Sequence, residues 1–62
     1  MAKENIRFLE LASLGWSYEA IGKELGVQVD ALYSRACKLF QILGADNITH
    51  AVAIALRKKL IT

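Results

Sequence analysis

The chain has 62 residues, of which 55% are hydrophobic and 8% aromatic, and its formal net charge is +2. A chain this short forms one domain that buries only roughly 60% of its unfolded surface, so we expect it to be marginally stable without a partner. No apolar run approaches the roughly 18 residues of a membrane span and no signal-peptide core is present, which predicts a cytoplasmic protein without a membrane partner.

The chain is predicted to be all-α, with four helices, because glycines and capping residues separate its apolar runs and no proline or alternating strand pattern occurs. A stripe of apolar side chains predicts the first helix over about residues 3–14, before Gly15. Ser17 can cap a second helix over about residues 18–25, in which Gly22 permits a close approach by a neighbouring helix.

The third helix is predicted over about residues 29–43 and has two distinct faces. Apolar side chains recur along one face at three- and four-residue steps, which assigns that face to the core. They are Leu32, Ala36, Leu39, Phe40 and Leu43. The opposite face carries Tyr33, Ser34, Cys37, Lys38 and Gln41. Together with the glycine-containing turn before it, this helix has the layout of a helix-turn-helix, whose second helix enters a DNA major groove.

Asn47 can cap a fourth helix that follows Gly44. Helical spacing turns Ala51, Val52 and Ala55 of this helix inward. The side chains that remain on its outer side are His50, Ala53, Ile54 and Arg57. Two of them are apolar, which indicates that this side of the helix contacts a partner.

Positive charge is concentrated in the second half of the chain. The formal net charge is −2 over residues 1–31 and +4 over residues 32–62. A polyanion would therefore approach the second half first. The alternative is that these charges only solvate exposed faces of the protein.

The residues that carry most metal and enzyme chemistry are scarce. Cys37 is the one cysteine and His50 the one histidine, so neither an internal disulfide nor a zinc site can be assembled. Paired carboxylates with a plausible cleft, a phosphate-binding glycine loop and a catalytic Cys–His pair are also lacking. We therefore expect a binding module with no metal, no cofactor and no enzymatic activity.

Twenty positions spread over nearly the whole chain match the sequence pattern of a known protein family, without a gap in the spacing. They are Leu9, Leu11, Gly15, Ser17, Ile21, Leu25, Gly26, Val27, Leu32, Leu39, Phe40, Leu43, Gly44, Asn47, Thr49, Ala51, Val52, Ala55, Leu60 and Ile61. In these residues the sequence resembles the C-terminal DNA-binding domain of the LuxR/GerE family of bacterial regulators. The resemblance implies a single domain over residues 1–62 that binds DNA as a dimer, with the third helix in the major groove and the fourth between subunits. Family members usually carry a further N-terminal domain, so we expect this sequence to be either a stand-alone module or a fragment.

The resemblance and the helix faces together assign roles to individual side chains. Base reading is assigned to Tyr33, Ser34 and Cys37, since a tyrosine ring can pack on a thymine methyl group and a small hydroxyl can meet a base edge. Phosphate contacts are assigned to cations and polar side chains on this face or near helix starts. They are Arg35, Lys38, Gln41, Tyr18 and Thr49. The dimer interface is assigned to His50, Ala53, Ile54 and Arg57.

We expect a sequence-specific transcriptional regulator that binds double-stranded DNA as a homodimer in the nucleoid of a bacterial or phage-infected cell. Some positions depart from the family's pattern. Residues 31–35 read Ala-Leu-Tyr-Ser-Arg where the family usually has Thr-Val-Lys-x-His, Ile42 replaces a basic residue and Gln28 replaces a serine. With the low net charge and the outward Ile54, these departures favour an alternative, a protein-interaction module that binds and inhibits another transcriptional regulator.

Overall fold

The computed structural model describes all of residues 1–62 and contains four helices and no strands. They are α1 (Lys3–Ser13), α2 (Tyr18–Leu25), α3 (Val29–Leu43) and α4 (Ile48–Arg57). The predicted all-α class is confirmed, and the second and third helices span the predicted residues. The first helix ends one residue earlier than expected, because Leu14 takes the capping position. Each helix packs on its neighbour in the chain, and α1 also packs on α4.

Short polar side chains cap the N-termini of two helices, as the sequence predicts. The Ser17 hydroxyl accepts a hydrogen bond from the Ala20 N–H at 3.1 Å, which satisfies a free donor at the start of α2. The Asn47 side-chain oxygen accepts from the His50 N–H at 2.9 Å and does the same for α4. Gly26 ends α2 with a φ of +70°, a left-handed conformation that glycine adopts without steric cost.

The turn over residues 26–28 folds back onto α2 at Gly22. The Val27 N–H donates to the Gly22 carbonyl oxygen at 2.8 Å, and a Cβ atom on Gly22 would lie 2.6 Å from the Val27 carbonyl oxygen. The sequence predicted a close approach here by a neighbouring helix. The closest neighbour is instead the backbone of the turn, and α3 follows through the Leu32 side chain at 4.0 Å.

Ten apolar side chains form one buried cluster to which every helix contributes. They are Phe8, Leu9, Leu11, Ile21, Leu32, Ala36, Leu39, Ala51, Ala55 and Ile61. The predicted core faces of α3 and α4 are confirmed, with Phe40, Leu43 and Val52 half-buried against the cluster. The small Ala51 and Ala55 let α4 lie close to α1, since the distance between packed helices depends on the side chains at the contact.

The last residues complete the core after α4 has ended. Lys59 has a φ of +60°, and the Leu60 N–H donates to the Ala55 carbonyl oxygen at 2.8 Å. This reversal carries Ile61 back into the buried cluster, where 4% of its surface is exposed.

No single helix has the length and the low charge that crossing a membrane requires. The α3 and α4 helices meet these criteria only when they are taken together, and they are bent by 49° at their junction.

Candidate nucleic-acid interface

The side of α3 that points away from the core carries five exposed side chains, which we call the outer face of α3. They are Asp30, Ser34, Cys37, Lys38 and Gln41. Because the helix advances by about 100° per residue, these side chains lie opposite the buried Leu32, Ala36 and Leu39. The structure therefore brings four of the predicted DNA contacts, at residues 34, 37, 38 and 41, onto one continuous surface.

Tyr33 lies on one flank of this face and belongs to an aromatic column of Phe8, Tyr18 and Tyr33. The rings of Tyr18 and Tyr33 are tilted by 31° with centroids 4.5 Å apart. Tyr18 meets the buried Phe8 in an edge-to-face contact, at 5.5 Å and 88°. Each such aromatic contact stabilises a protein by roughly 0.5–1.5 kcal/mol beyond its buried area. The column thus links the core to the outer face.

Tyr18 is half-buried in this column, although the sequence assigned it to a phosphate. Desolvation by burial raises the pKa of its phenol, and the neighbouring Tyr33 and Cys37 raise it further. The Tyr18 hydroxyl is therefore protonated at neutral pH and can act as a hydrogen-bond donor. Packing is the role that the structure gives its ring, and its contact with a phosphate stays a prediction.

Arg35 lies on the other flank of the outer face, beside the start of α1. Its guanidinium is 3.7 Å from the Glu4 carboxylate, and the two side chains are 50% and 72% exposed. Asn5, Arg35, Lys38 and Ile42 line the shallow groove between α1 and α3 at this point. An exposed ion pair of this kind stabilises a protein little, so a phosphate can replace the Glu4 carboxylate at Arg35.

Lys38 is the predicted phosphate contact that carries an uncompensated charge. It is exposed and takes part in none of the protein's ion pairs. Asp30 places one carboxylate at the first turn of α3, where the helix dipole favours a negative charge. The outer face itself thus carries one positive and one negative charge, and Arg35 on its flank adds positive charge only so far as Glu4 leaves it unneutralised.

Thr49, the remaining predicted phosphate contact, lies apart from these residues. It is exposed and shares a shallow groove between α1 and α4 with Ala12 and Ser13, and no residue of α3 lines that groove. The structure thus sets Thr49 beside the end of α1, while the other predicted contacts lie on or next to α3.

The predicted dimer residues form one stripe along α4, which we call the α4 stripe. Arg57 is exposed, whereas His50, Ala53 and Ile54 are half-buried rather than fully outward. Ala53 and Ile54 do not belong to the buried cluster or to the side chains packed against it. Their surfaces therefore remain available to a partner.

The His50 ring is oriented by the residues just before α4. Its Nδ1 atom accepts a hydrogen bond from the Asp46 N–H at 3.2 Å, and the Asp46 carboxylate is 3.9 Å away. This bond leaves the neutral ring with its proton on Nε2. The ring is thereby held at the end of the α4 stripe that lies next to Asn47.

Exposed apolar side chains outside these two surfaces are the features that sequence reasoning missed. Leu14 is 72% exposed just after α1, and Leu56 is 46% exposed on α4. Helical spacing could have identified Leu56, because it is three residues after the outward Ala53 and so lies only about 60° from it around the helix. Nothing in the spacing of α1 marks Leu14, which lies at the first position beyond the helix.

The outer face of α3 presents hydroxyl, thiol, amide, ammonium and carboxylate groups. No group of three or more His, Cys, Asp or Glu side chains is placed to hold a metal ion, and Cys37 is an exposed free thiol. No protein-family model, curated protein or solved structure matches this chain. The interpretation of the surface therefore depends on its own geometry.

Proposed function

We propose that this protein is a sequence-specific transcriptional regulator that binds double-stranded DNA as a homodimer in the cytoplasm of a bacterial or phage-infected cell. The observation that supports this function is the outer face of α3, where four of the predicted base and phosphate contacts share one exposed surface. A major groove about 12 Å wide and 8.5 Å deep admits an α-helix with such a surface. In this proposal α2, the turn at residues 26–28 and α3 act together as a helix-turn-helix, with α3 as its recognition helix.

The proposed DNA contacts are of two kinds. Some hold α3 on the phosphate backbone, and others recognise the bases. Lys38 and Arg35 neutralise phosphates, and this supplies affinity that does not depend on sequence. Ser34 and Cys37 face the base edges, and Tyr33 meets them from the flank. In a dimer formed through the α4 stripe, two copies of α3 enter major grooves about one helical turn apart, so the DNA site is close to palindromic.

One observation favours a second function. Ile42 is 71% exposed beside Arg35 and Lys38, and the charge of Arg35 is partly neutralised by Glu4. A surface that combines an exposed aliphatic side chain with reduced positive charge suits a protein partner. The second candidate is therefore a domain that binds and inhibits another transcriptional regulator.

A titration with labelled random duplex at two salt concentrations distinguishes these functions. We expect fluorescence anisotropy to show binding that weakens steeply as the salt concentration rises, because released counterions drive phosphate contacts. Selection from a pool of random duplexes should then enrich a near-palindromic site. Absence of binding at low salt, or affinity that is independent of salt, would favour the protein-interaction module.

Dimer formation is predicted to depend on the α4 stripe. We expect Ile54→Glu to raise the dissociation constant of the dimer by roughly tenfold or more, because the new carboxylate would lose its hydration in the interface without a partner. Sedimentation velocity over a concentration series measures this change. Ile42→Glu is the matched control, since it makes the same change at an exposed isoleucine of α3, outside the stripe, and should leave the dimer intact. Equal effects of the two variants would contradict an interface at the stripe.

Glu4 is predicted to weaken DNA binding by occupying Arg35. We expect Glu4→Gln to tighten the binding of a duplex by about two- to threefold at 0.1 M salt, in line with the small energies of exposed ion pairs. Glu10→Gln is the control, because it removes the same charge from α1 but faces Arg7 at 3.9 Å. If both variants tighten binding equally, the effect comes from net charge and the Glu4–Arg35 contact plays no part.

A further inference from the structure

Tyr33 brings an aromatic ring to the edge of an otherwise polar surface. It is 52% exposed, and Ser34, Cys37 and Gln41 on the adjoining outer face are all polar. A phenol carries no charge at neutral pH, so this ring cannot neutralise a phosphate as a lysine would. Among the four unmodified bases, only thymine presents an apolar group, its 5-methyl, in the major groove. An apolar ring on the reading helix therefore matches thymine better than it matches any other base.

The position of this ring is set by Tyr18. An exposed tyrosine on a helix ordinarily samples more than one side-chain rotamer. Here the Tyr18 ring lies at 4.5 Å against Tyr33, and Tyr18 itself is held by the edge of Phe8, of which only 4% is exposed. The contact of Phe8 with Tyr18 and that of Tyr18 with Tyr33 thus hold the Tyr33 ring in place relative to the core. Holding a side chain in its bound position lowers the entropy that is lost on binding.

We infer that Tyr18 is a positioning residue that holds the Tyr33 ring against a thymine methyl group, so that the pair selects thymine at one position of each half-site of the DNA. This inference rests on the proposed function, of which it specifies one base contact. It also gives Tyr18 a role that differs from the phosphate contact predicted from the sequence. The two roles are separable, because one requires the ring of Tyr18 and the other requires its hydroxyl.

The test replaces each thymine of the selected duplex singly with deoxyuridine, which removes only the methyl group. For the unmodified protein we expect one position in each half-site at which this change weakens binding by about fourfold, the effect of removing one buried methyl group. Tyr33→Ala should abolish this discrimination at that position. Tyr18→Leu, which keeps an apolar side chain against Phe8, should reduce the discrimination to less than twofold. Tyr18→Phe keeps the ring and should preserve the discrimination, whatever it does to overall affinity.

The outcomes separate this inference from the proposed function. If the unmodified protein binds no duplex, the proposed function is wrong and the inference falls with it. If it binds but Tyr33→Ala or Tyr18→Leu keeps the full discrimination, the inference alone is overturned. Should Tyr18→Leu fail to fold, the χ1 angle of Tyr33 in the unmodified protein is measured from NMR coupling constants. Coupling constants that fit one populated χ1 rotamer of Tyr33 would support the inference. Coupling constants averaged over several rotamers would overturn it.

Discussion

Gly22→Ala is expected to lower the free energy of unfolding by about 1–3 kcal/mol, the usual cost of overfilling a packed site. Helix propensity alone predicts the opposite sign, because alanine is favoured over glycine inside a helix by roughly 1 kcal/mol. The structure reverses this expectation, since the added Cβ would lie 2.6 Å from the Val27 carbonyl oxygen. That oxygen belongs to the backbone of the turn, so relieving the contact requires the turn to move.

This loss would be a large fraction of the free energy of unfolding, because a domain of this size is only marginally stable. Urea unfolding followed by circular dichroism measures the change, and a lowered midpoint at an unchanged slope would identify a change in stability. Ala31→Gly is the matched control, because it makes the reverse change at an exposed position of α3 and should cost only about 1 kcal/mol. A Gly22→Ala protein as stable as the original would show that the turn adapts without strain.

The double variant Arg35→Ala/Lys38→Ala is expected to bind DNA about a thousandfold more weakly at 0.1 M salt, because it removes four phosphate contacts from the homodimer. Each phosphate contact contributes about −0.9 to the slope of log affinity against log salt concentration, so four lost contacts should reduce the magnitude of that slope by about 3.6. The loss should be similar for the selected site and for random duplex, because phosphates carry no sequence information. Anisotropy titrations at four or more salt concentrations provide both quantities.

Lys23→Ala/Lys58→Ala is the matched control for this experiment. It removes the same net charge from two exposed lysines that lie outside α3. If the control pair lowers affinity and slope as much as the α3 pair does, DNA responds to the net charge of the domain rather than to the outer face of α3. If neither pair has an effect, the second candidate function becomes the better explanation of this surface.

The elements of the fold could be predicted because their determinants lie within a few residues of one another. The Ser17 hydroxyl caps α2 through Ala20, and Asn47 caps α4 through His50, both three residues away. The repeat of apolar side chains along α3 identified its buried face, since helical geometry alone relates positions three and four residues apart. These are short-range interactions, and the sequence displays them directly.

The candidate site could be predicted only in part. The polar side of α3 was identified correctly, because the exposure of a helix face follows from its pattern. The ion pair between Arg35 and Glu4 was not predicted, since it joins residues of two different helices that are 31 positions apart in the chain. Neither residue type nor spacing indicates which carboxylate comes to lie beside a given cation.

What the sequence by itself determined is where each helix begins, where α2 and α3 end, and which side of each helix is buried. Tertiary structure alone decided that the turn presses on Gly22, that Tyr18 supports Tyr33 and that Ile61 returns to the core. The physical reason is the range of the interactions. Caps and helical periodicity act within one or two turns of one helix, whereas these contacts exist only after the helices have packed and brought distant residues together.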